Sequence, residues 1–365
     1  MAAKKFIVCG VEKMQSSYLA EDVTLLLKDI TGLVEPLGTR EREKRIQGGT
    51  HYSEMLPLEY VPTPEYLQAY QAAAEKYALL TARAVGAVAE RIWKAKDGRP
   101  VLVSLARAGT SIGVLIRRYL LARYRVQVPH YTISIIRGRG IDHQAMQYIL
   151  ARHEAKALQF VDGWTGKGAI CRELSAAIAD YPGVGDGLAV LSDPAWVAGL
   201  CGTHRDFLIA SSCLNSTVSG LISRTFYRKD IIGPEDFHGA AYYGNMRGQD
   251  LTYAFIQGVE KEFASPGDNP FLQEKEAKGR PGLQEVLEIS QAFGIRDINL
   301  IKPGIGEATR VLLRRLPWKM LVHSLTDDEH LGHLYQLAKE KNVEVVVYPL
   351  QNYKACGLIC NLADT

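Results

Sequence analysis

Five short apolar runs constrain this chain more than any other feature: VLVSLA (101–106), YTISII (131–136), ALQFV (157–161), LAVLS (188–192) and DFLIAS (206–211). Each is too short for a buried helix and carries little polar alternation, so each reads as a strand covered on both faces. Helical patterns fill most of the gaps between the first four. The first three begin roughly 30 residues apart, a spacing that suits right-handed βαβ units. The expectation is an α/β fold with a buried parallel sheet covered by helices.

The rest of the chain adds helices and a second unit. Residues 64–95 follow a long amphipathic helical pattern with Pro64 at its start, and SYLAEDVTLLLKDI (17–30) also reads as helical. The chain has 365 residues, enough for two or three domains. The best linker is SPGDNPFLQEKEAKGRPGLQ (265–284), with three prolines and three glycines among many charges. It divides a larger unit, 1–280, from a smaller one, 286–365. In the smaller unit INLI (298–301), KMLVHS (319–324), VEVVVYP (343–349) and CGLICN (356–361) predict an α/β/α arrangement.

Composition limits the function classes. A net charge of +3 is too small to name a partner, and the run REREKR (40–45) reads as a solvated face. The six cysteines (9, 171, 201, 213, 356 and 360) have no CxxC spacing. They read as reduced thiols in a cytoplasmic setting, with no metal site and no disulfide framework. No segment approaches the roughly 20 apolar residues of a membrane span.

Several turns carry chemistry. In FVDGWTGKGAICREL (160–174) a strand ends in Asp162, a glycine-rich turn follows and a helix begins. Free N–H groups at that helix start form an anion cradle. Gly166 and Gly168 allow close approach, Thr165 offers a hydroxyl and Lys167 a charge. An acid before a phosphate loop holds ribose hydroxyls or Mg²⁺, the one cofactor suggested; no organic cofactor is evident. The simpler reading is a tight, capped βα turn.

The segment VSLARAGTSIG (103–113) repeats the arrangement, with Arg107, Ala108, Gly109, Thr110 and Ser111 suited to an oxyanion. Arg137 and Arg139 leave the next strand, either as a diphosphate clamp or as exposed loop charges. In SSCLNSTVSGLISRT (211–225), Cys213 precedes an expected helix near Asn215 or Ser216, where a thiolate is favoured. His238, His51 or His204 is then its base. The alternatives are a small buried cysteine, or a polar pocket wall including Ser216 and Arg224.

These motifs resemble the phosphoribosyltransferase family, in which an acid and a Thr-Gly loop hold a ribose phosphate. HYSEMLPLEYVPTPEYL (51–67), SLARAGTSIG (104–113), RGRGIDH (137–143), FVDGWTGKG (160–168), SSCLNSTVSGLISRTFY (211–227) and DFHGAAYYG (236–244) further resemble the StiP-type proteins. Those are labelled cysteine proteases and also described as phosphoribosyltransferase-like proteins of tellurite-resistance clusters. The resemblance implies a phosphoribosyltransferase-like sheet and a phosphorylated ribose or nucleotide ligand. It makes Asp162 and Lys167 catalytic candidates in phosphoribosyl transfer. The rival enzyme is a thiol hydrolase using Cys213 and His238, and a third reading is a non-catalytic nucleotide sensor that binds RNA. LIKPGIGEATR (300–310) resembles the Pelota and kink-turn RNA-binding loop, with Gly306 where asparagine is usual. That likeness implies structured RNA as a partner, contacted by Lys302, Gly304, Gly306, Glu307 and Arg310.

Overall fold

A computed structural model describes residues 7–8, 11–12, 14–59, 61–273, 279 and 281–360. Six strands form an all-parallel sheet: β1 (Thr24–Leu25), β2 (Val101–Leu105), β3 (His130–Ile133), β4 (Leu158–Val161), β5 (Ala189–Ser192) and β6 (Leu200–Thr203). Their order is β6-β5-β4-β2-β3-β1. The larger unit also holds helices α1 (Thr39–Gln47), α2 (Pro64–Ala95), α3 (Ala108–Tyr124), α4 (His143–Leu150), α5 (Ala169–Ile178), α6 (Thr252–Glu260) and α7 (Pro270–Gln273).

Successive strand residues feed opposite cores, the period of two that a strand imposes. Val101, Val103, Leu105 and Phe160 face Met146 and Ile149 of α4 and Leu174 of α5. Leu102, Val161 and Leu191 face α2, α3 and α6, among them Val85, Ile112 and Phe255. Burial on both faces is why these runs are apolar throughout rather than alternating. Helix α2 starts where its sequence says, with Pro64 in its first turn and the Thr63 hydroxyl accepting from Tyr66 N–H at 3.2 Å.

The smaller C-terminal domain is a mixed four-stranded sheet of β7 (Ile301–Pro303), β8 (Pro317–Val322), β9 (Glu344–Val347) and β10 (Ala355–Ile359), in the order β7-β10-β8-β9. Helix α8 (Gly282–Ala292) covers one face, and α9 (Ile305–Arg314) and α10 (Asp328–Glu340) cover the other. Ile305, Ala308 and Leu312 of α9 belong to the same apolar cluster as Ala210, Cys213 and Leu214. The two domains therefore share a core across α9.

Two expectations fail, and a third holds in part. DFLIAS is a buried loop ending in a single 3-10 turn, Ala210–Ser212, because it packs under α9 and α2 instead of joining the sheet. The sheet is completed by LCGT (200–203), a run too short and glycine-broken to read as a strand. The segment 17–30 supplies edge strand β1 rather than a helix, since its side chains are divided between several cores. The charge run at 40–45 lies in α1 and is solvated at Arg40, Glu41, Lys44 and Arg45, but not at every position. Its Glu43 is 2 % exposed and receives Arg315 at 2.8 Å from the C-terminal domain.

Candidate functional site

Strands β2 and β4 are neighbours, paired from Val101↔Leu158 to Ser104↔Val161. The turns after them leave the same sheet edge, where open α/β sheets place ligands. Both turns line one cavity of about 1540 Å³, with Arg107 and Ala108 from the first, Asp162 and residues 164–168 from the second, and α9 opposite. Lys167 donates to the carbonyls of Ile298 and, at 3.1 Å, Ile301. Burial, then the nearby Lys302 and Arg137, pull its ammonium down to about 7. Burial pushes Asp162 up to about 6, although Gly163 N–H donates to it at 2.8 Å.

Much of the expected anion machinery is spent inside the fold. A Cβ on Gly109 would collide with the carbonyl of Val161, so this glycine lets α3 meet β4. Thr110 bonds Thr132 at 3.2 Å, and Ser111 sits between the Tyr18 hydroxyl at 2.8 Å and the Val218 carbonyl at 3.0 Å. None of the three lines the cavity, because the first turn of α3 must fold back onto the sheet. Thr165 gives its hydroxyl to Asp193 at 2.5 Å, and the Gly166 carbonyl accepts from Tyr353 at 2.5 Å. Gly168, at φ 74°, opens α5 in the left-handed region. Arg137 faces the cavity, 3.1 Å from Asn299 Oδ1, but Arg139 turns away to Glu54 and the Tyr227 carbonyl. The two arginines therefore form no paired clamp. Ser216 donates to Glu59 at 3.2 Å, while Arg224 lines the cavity and lies 4.3 Å over the Tyr52 ring.

The expected Cys213–His238 pair is not formed. Cys213 is 3 % exposed within the main apolar cluster, and burial pushes its thiol up to about 12. The helix meant to favour its thiolate is only a 3-10 turn, Ser216–Val218, too short to carry a useful dipole. His238 is bonded instead to Ser134 Oγ at 2.9 Å, and burial drags its imidazole down to about 4. His51 is held between Ser53 Oγ at 2.8 Å and the Arg137 carbonyl at 3.1 Å.

The third histidine, His204, faces a different cysteine. Its Nε2 lies 3.6 Å from Cys201 Sγ, and its Nδ1 lies 2.8 Å from the backbone carbonyl of Asp193 and 3.5 Å from that residue's Oδ2. Only a protonated Nδ1 satisfies that carbonyl, which leaves the Nε2 lone pair directed at the sulfur. The Asp193 carboxylate is fixed by Thr165 at 2.5 Å and by the N–H groups of Val197 and Ala198 at 3.1 Å. Trp196 stacks on His204, centroids 3.4 Å apart at 4°. Sequence reasoning missed this trio because it took each residue separately. The available signal was a Cys-x-x-His step one strand after a strand-terminal Asp.

A cysteine, a histidine and an aspartate are thus gathered at one sheet edge. Residues 16–260 match the family described as tellurite-like stress resistance cysteine protease StiP. The chain belongs to the StiP family. It is 37 % identical, over 95 % of its length and 94 % of the relative's, to a protein from Acinetobacter baylyi named cysteine protease StiP. No solved structure matches it significantly. Membership overturns phosphoribosyl transfer as the main reading: the family and the relative are both named for a cysteine protease.

Residues 280–361 match the PELOTA RNA binding domain. Its glycine loop is turned inward, onto the larger domain. Gly304, at φ 92°, precedes α9, and Ile305 N–H is capped by Asp206 of the larger domain at 3.1 Å. A Cβ on Gly306 would come within 3.3 Å of Ser212 and Trp164, so the glycine that replaces the usual asparagine permits this docking. Lys302, Glu307 and Arg310 line the cavity between the domains, with Arg310 4.5 Å over the Trp164 ring. The loop expected to read RNA is thus occupied by the chain's own larger domain.

Proposed function

We propose that this protein is a cysteine-dependent peptidase in which Cys201 is the nucleophile, His204 its general base and Asp193 the group that orients the imidazole. The observation that carries the reading is the 3.6 Å approach of Cys201 Sγ to His204 Nε2. His204 takes the thiol proton as sulfur attacks the scissile carbonyl carbon. The C–S bond forms, the C–N bond breaks, and the leaving amine takes the proton from His204. Water, deprotonated by His204, then cleaves the thioester and restores the thiol. The Asp193 carboxylate faces the imidazolium that forms in both halves.

Cys201 is 5 % exposed, and Trp196 covers His204. A polypeptide therefore reaches the sulfur and its base only when this region opens. The test is hydrolysis of an unfolded protein substrate by the full chain. Cys201→Ala should abolish it, and iodoacetamide should inactivate the wild type by alkylating Cys201. Full activity in Cys201→Ala, or loss of activity on Cys213→Ser alone, would overturn the assignment.

A second reading rests on the same atoms. Ligand atoms of Asp193, Cys201 and His204 all lie within 4.8 Å of one another, a span that fits Zn²⁺. Zinc retained through dialysis by the wild type and lost in Cys201→Ala would favour it. Two adjacent βα turns at one sheet edge support a phosphoribosyltransferase-like description of the architecture alone. Contact with RNA, if the C-terminal domain makes it, uses surfaces other than the docked glycine loop.

A further inference from the structure

The cavity between the domains is electrically unbalanced. Ten Arg and Lys side chains line it against five Asp and Glu. Three pairs close locally: Arg107 with Glu59 at 3.2 Å, Arg310 with Glu307 at 3.2 Å, and Arg315 with Glu43 at 2.8 Å. The remainder, seven cations against Asp162 and Asp297, is net cationic and comes from both domains. Arg42 stands on α1, Arg224 on the segment after Cys213, and Arg314 on α9.

These guanidinium groups are short of acceptors. Among the described residues, the Nε atoms of Arg42, Arg310 and Arg314 are buried without a hydrogen-bond partner. The Arg224 guanidinium makes no hydrogen bond among the described residues and rests on the Tyr52 ring. Arg314 has one backbone acceptor, the Leu214 carbonyl at 2.9 Å. A buried charged donor left unpaired is costly, and like charges brought together add repulsion. Lysine escapes such a position by losing its proton; arginine in general does not. Burial and the neighbouring arginines pull Arg224 down only to about 9, so it keeps its charge near neutrality.

We propose that this cavity binds a small multivalent oxyanion of the phosphate or pyrophosphate type, held jointly by Arg42, Arg224, Arg310 and Arg314 and so clamped between the two domains. Guanidinium forks match phosphate oxygens in pairs, and the charge surplus calls for more than one negative charge in a small volume. An acidic peptide spreads its charges along a chain. A cavity of about 1540 Å³ between docked domains takes a small molecule rather than an RNA duplex. The turn at 164–168, which leads into α5, lies in the same wall. Asp193, Cys201 and His204 do not line this cavity, so the proposal stands apart from the peptidase reading.

Thermal unfolding and titration calorimetry of the full chain test it, with pyrophosphate as the probe and chloride at matched ionic strength as the control. Pyrophosphate at millimolar concentration should raise Tm, and chloride should not. Arg314→Met should weaken pyrophosphate binding by about tenfold or more while the ligand-free Tm stays the same or rises, since an unpaired buried charge has gone. Should that variant not fold, Arg42→Met on the short α1 carries the same test. An equal response to chloride, unchanged pyrophosphate affinity in the variant, or tighter binding of an RNA duplex than of pyrophosphate would overturn the proposal.

Discussion

The Cys201 cluster and the interdomain cavity gather the chain's reactive and charged side chains in two different ways. In the first, each polar atom has a partner inside its own domain: Thr165 and two backbone N–H groups on Asp193, a carbonyl on His204 Nδ1, an imidazole facing the sulfur. In the second, guanidinium groups from two domains face one another with too few acceptors. A settled constellation has a group aimed at a neighbour and needs only a substrate. An unsettled one is incomplete without a ligand. The first therefore points to chemistry and the second to binding.

The contrast is largest for His204→Ala. Loss of the base should lower hydrolysis by about a hundred- to ten-thousand-fold, with the pyrophosphate-induced Tm shift unaltered. A variant that lost both would merge the two regions into one site.

Next in size is the pH response of anion binding. Lys167 titrates at about 7 and Lys302 at about 8, both lowered by burial. Arg137 and Glu307 act on both, and Asp297 also faces them, so no single neighbour sets the midpoint. The protonated amines attract the anion. Affinity for sulfate, an oxyanion whose own charge is constant over this range, should thus be greatest below pH 7 and fall by about tenfold per lost charge-assisted contact as pH rises. Affinity that rose with pH, measured by calorimetry, would remove the lysines from the site.

Trp196→Ala sharpens the first region. Uncovering His204 should speed alkylation of Cys201 by iodoacetamide several-fold, read by mass spectrometry, and leave Cys171 labelling unchanged. An unaltered rate would mean that Trp196 is no cover.

The smallest effect on activity is expected from Cys213→Ser. A hydroxyl placed in the main apolar cluster should cost about 1–3 kcal/mol of stability, seen as a lower Tm, while activity per folded molecule holds. Activity lost in proportion to Cys213 substitution would return the nucleophile to that position.

Part of this was legible beforehand. VLVSLA, YTISII and ALQFV form three adjacent parallel strands, and the turns after the first and third meet in one cavity. Thr63 and Pro64 start α2, and Asp142 caps α4 through Ala145 N–H at 3.0 Å. These features depend on local periodicity, steric limits and hydrogen bonds over a few residues. DFLIAS misled for the opposite reason: an apolar run declares that it is buried and does not declare against what. The same limit hid the trio, for nothing in CGTH separates a core cysteine from a nucleophile.

The sequence by itself determined the layered α/β architecture, the smaller C-terminal domain, the long helix and the sheet edge where polar turns collect. Periodicity and chain connectivity are properties of consecutive residues, so they survive in one dimension. Only the tertiary structure decided that Cys201 rather than Cys213 meets a histidine, that Thr110 and Ser111 are spent inside the fold, and that the glycine loop before α9 faces inward. Those outcomes turn on which surfaces meet when β5 and β6 pair and α9 docks. The pairing of distant side chains is fixed by packing, which no local pattern encodes.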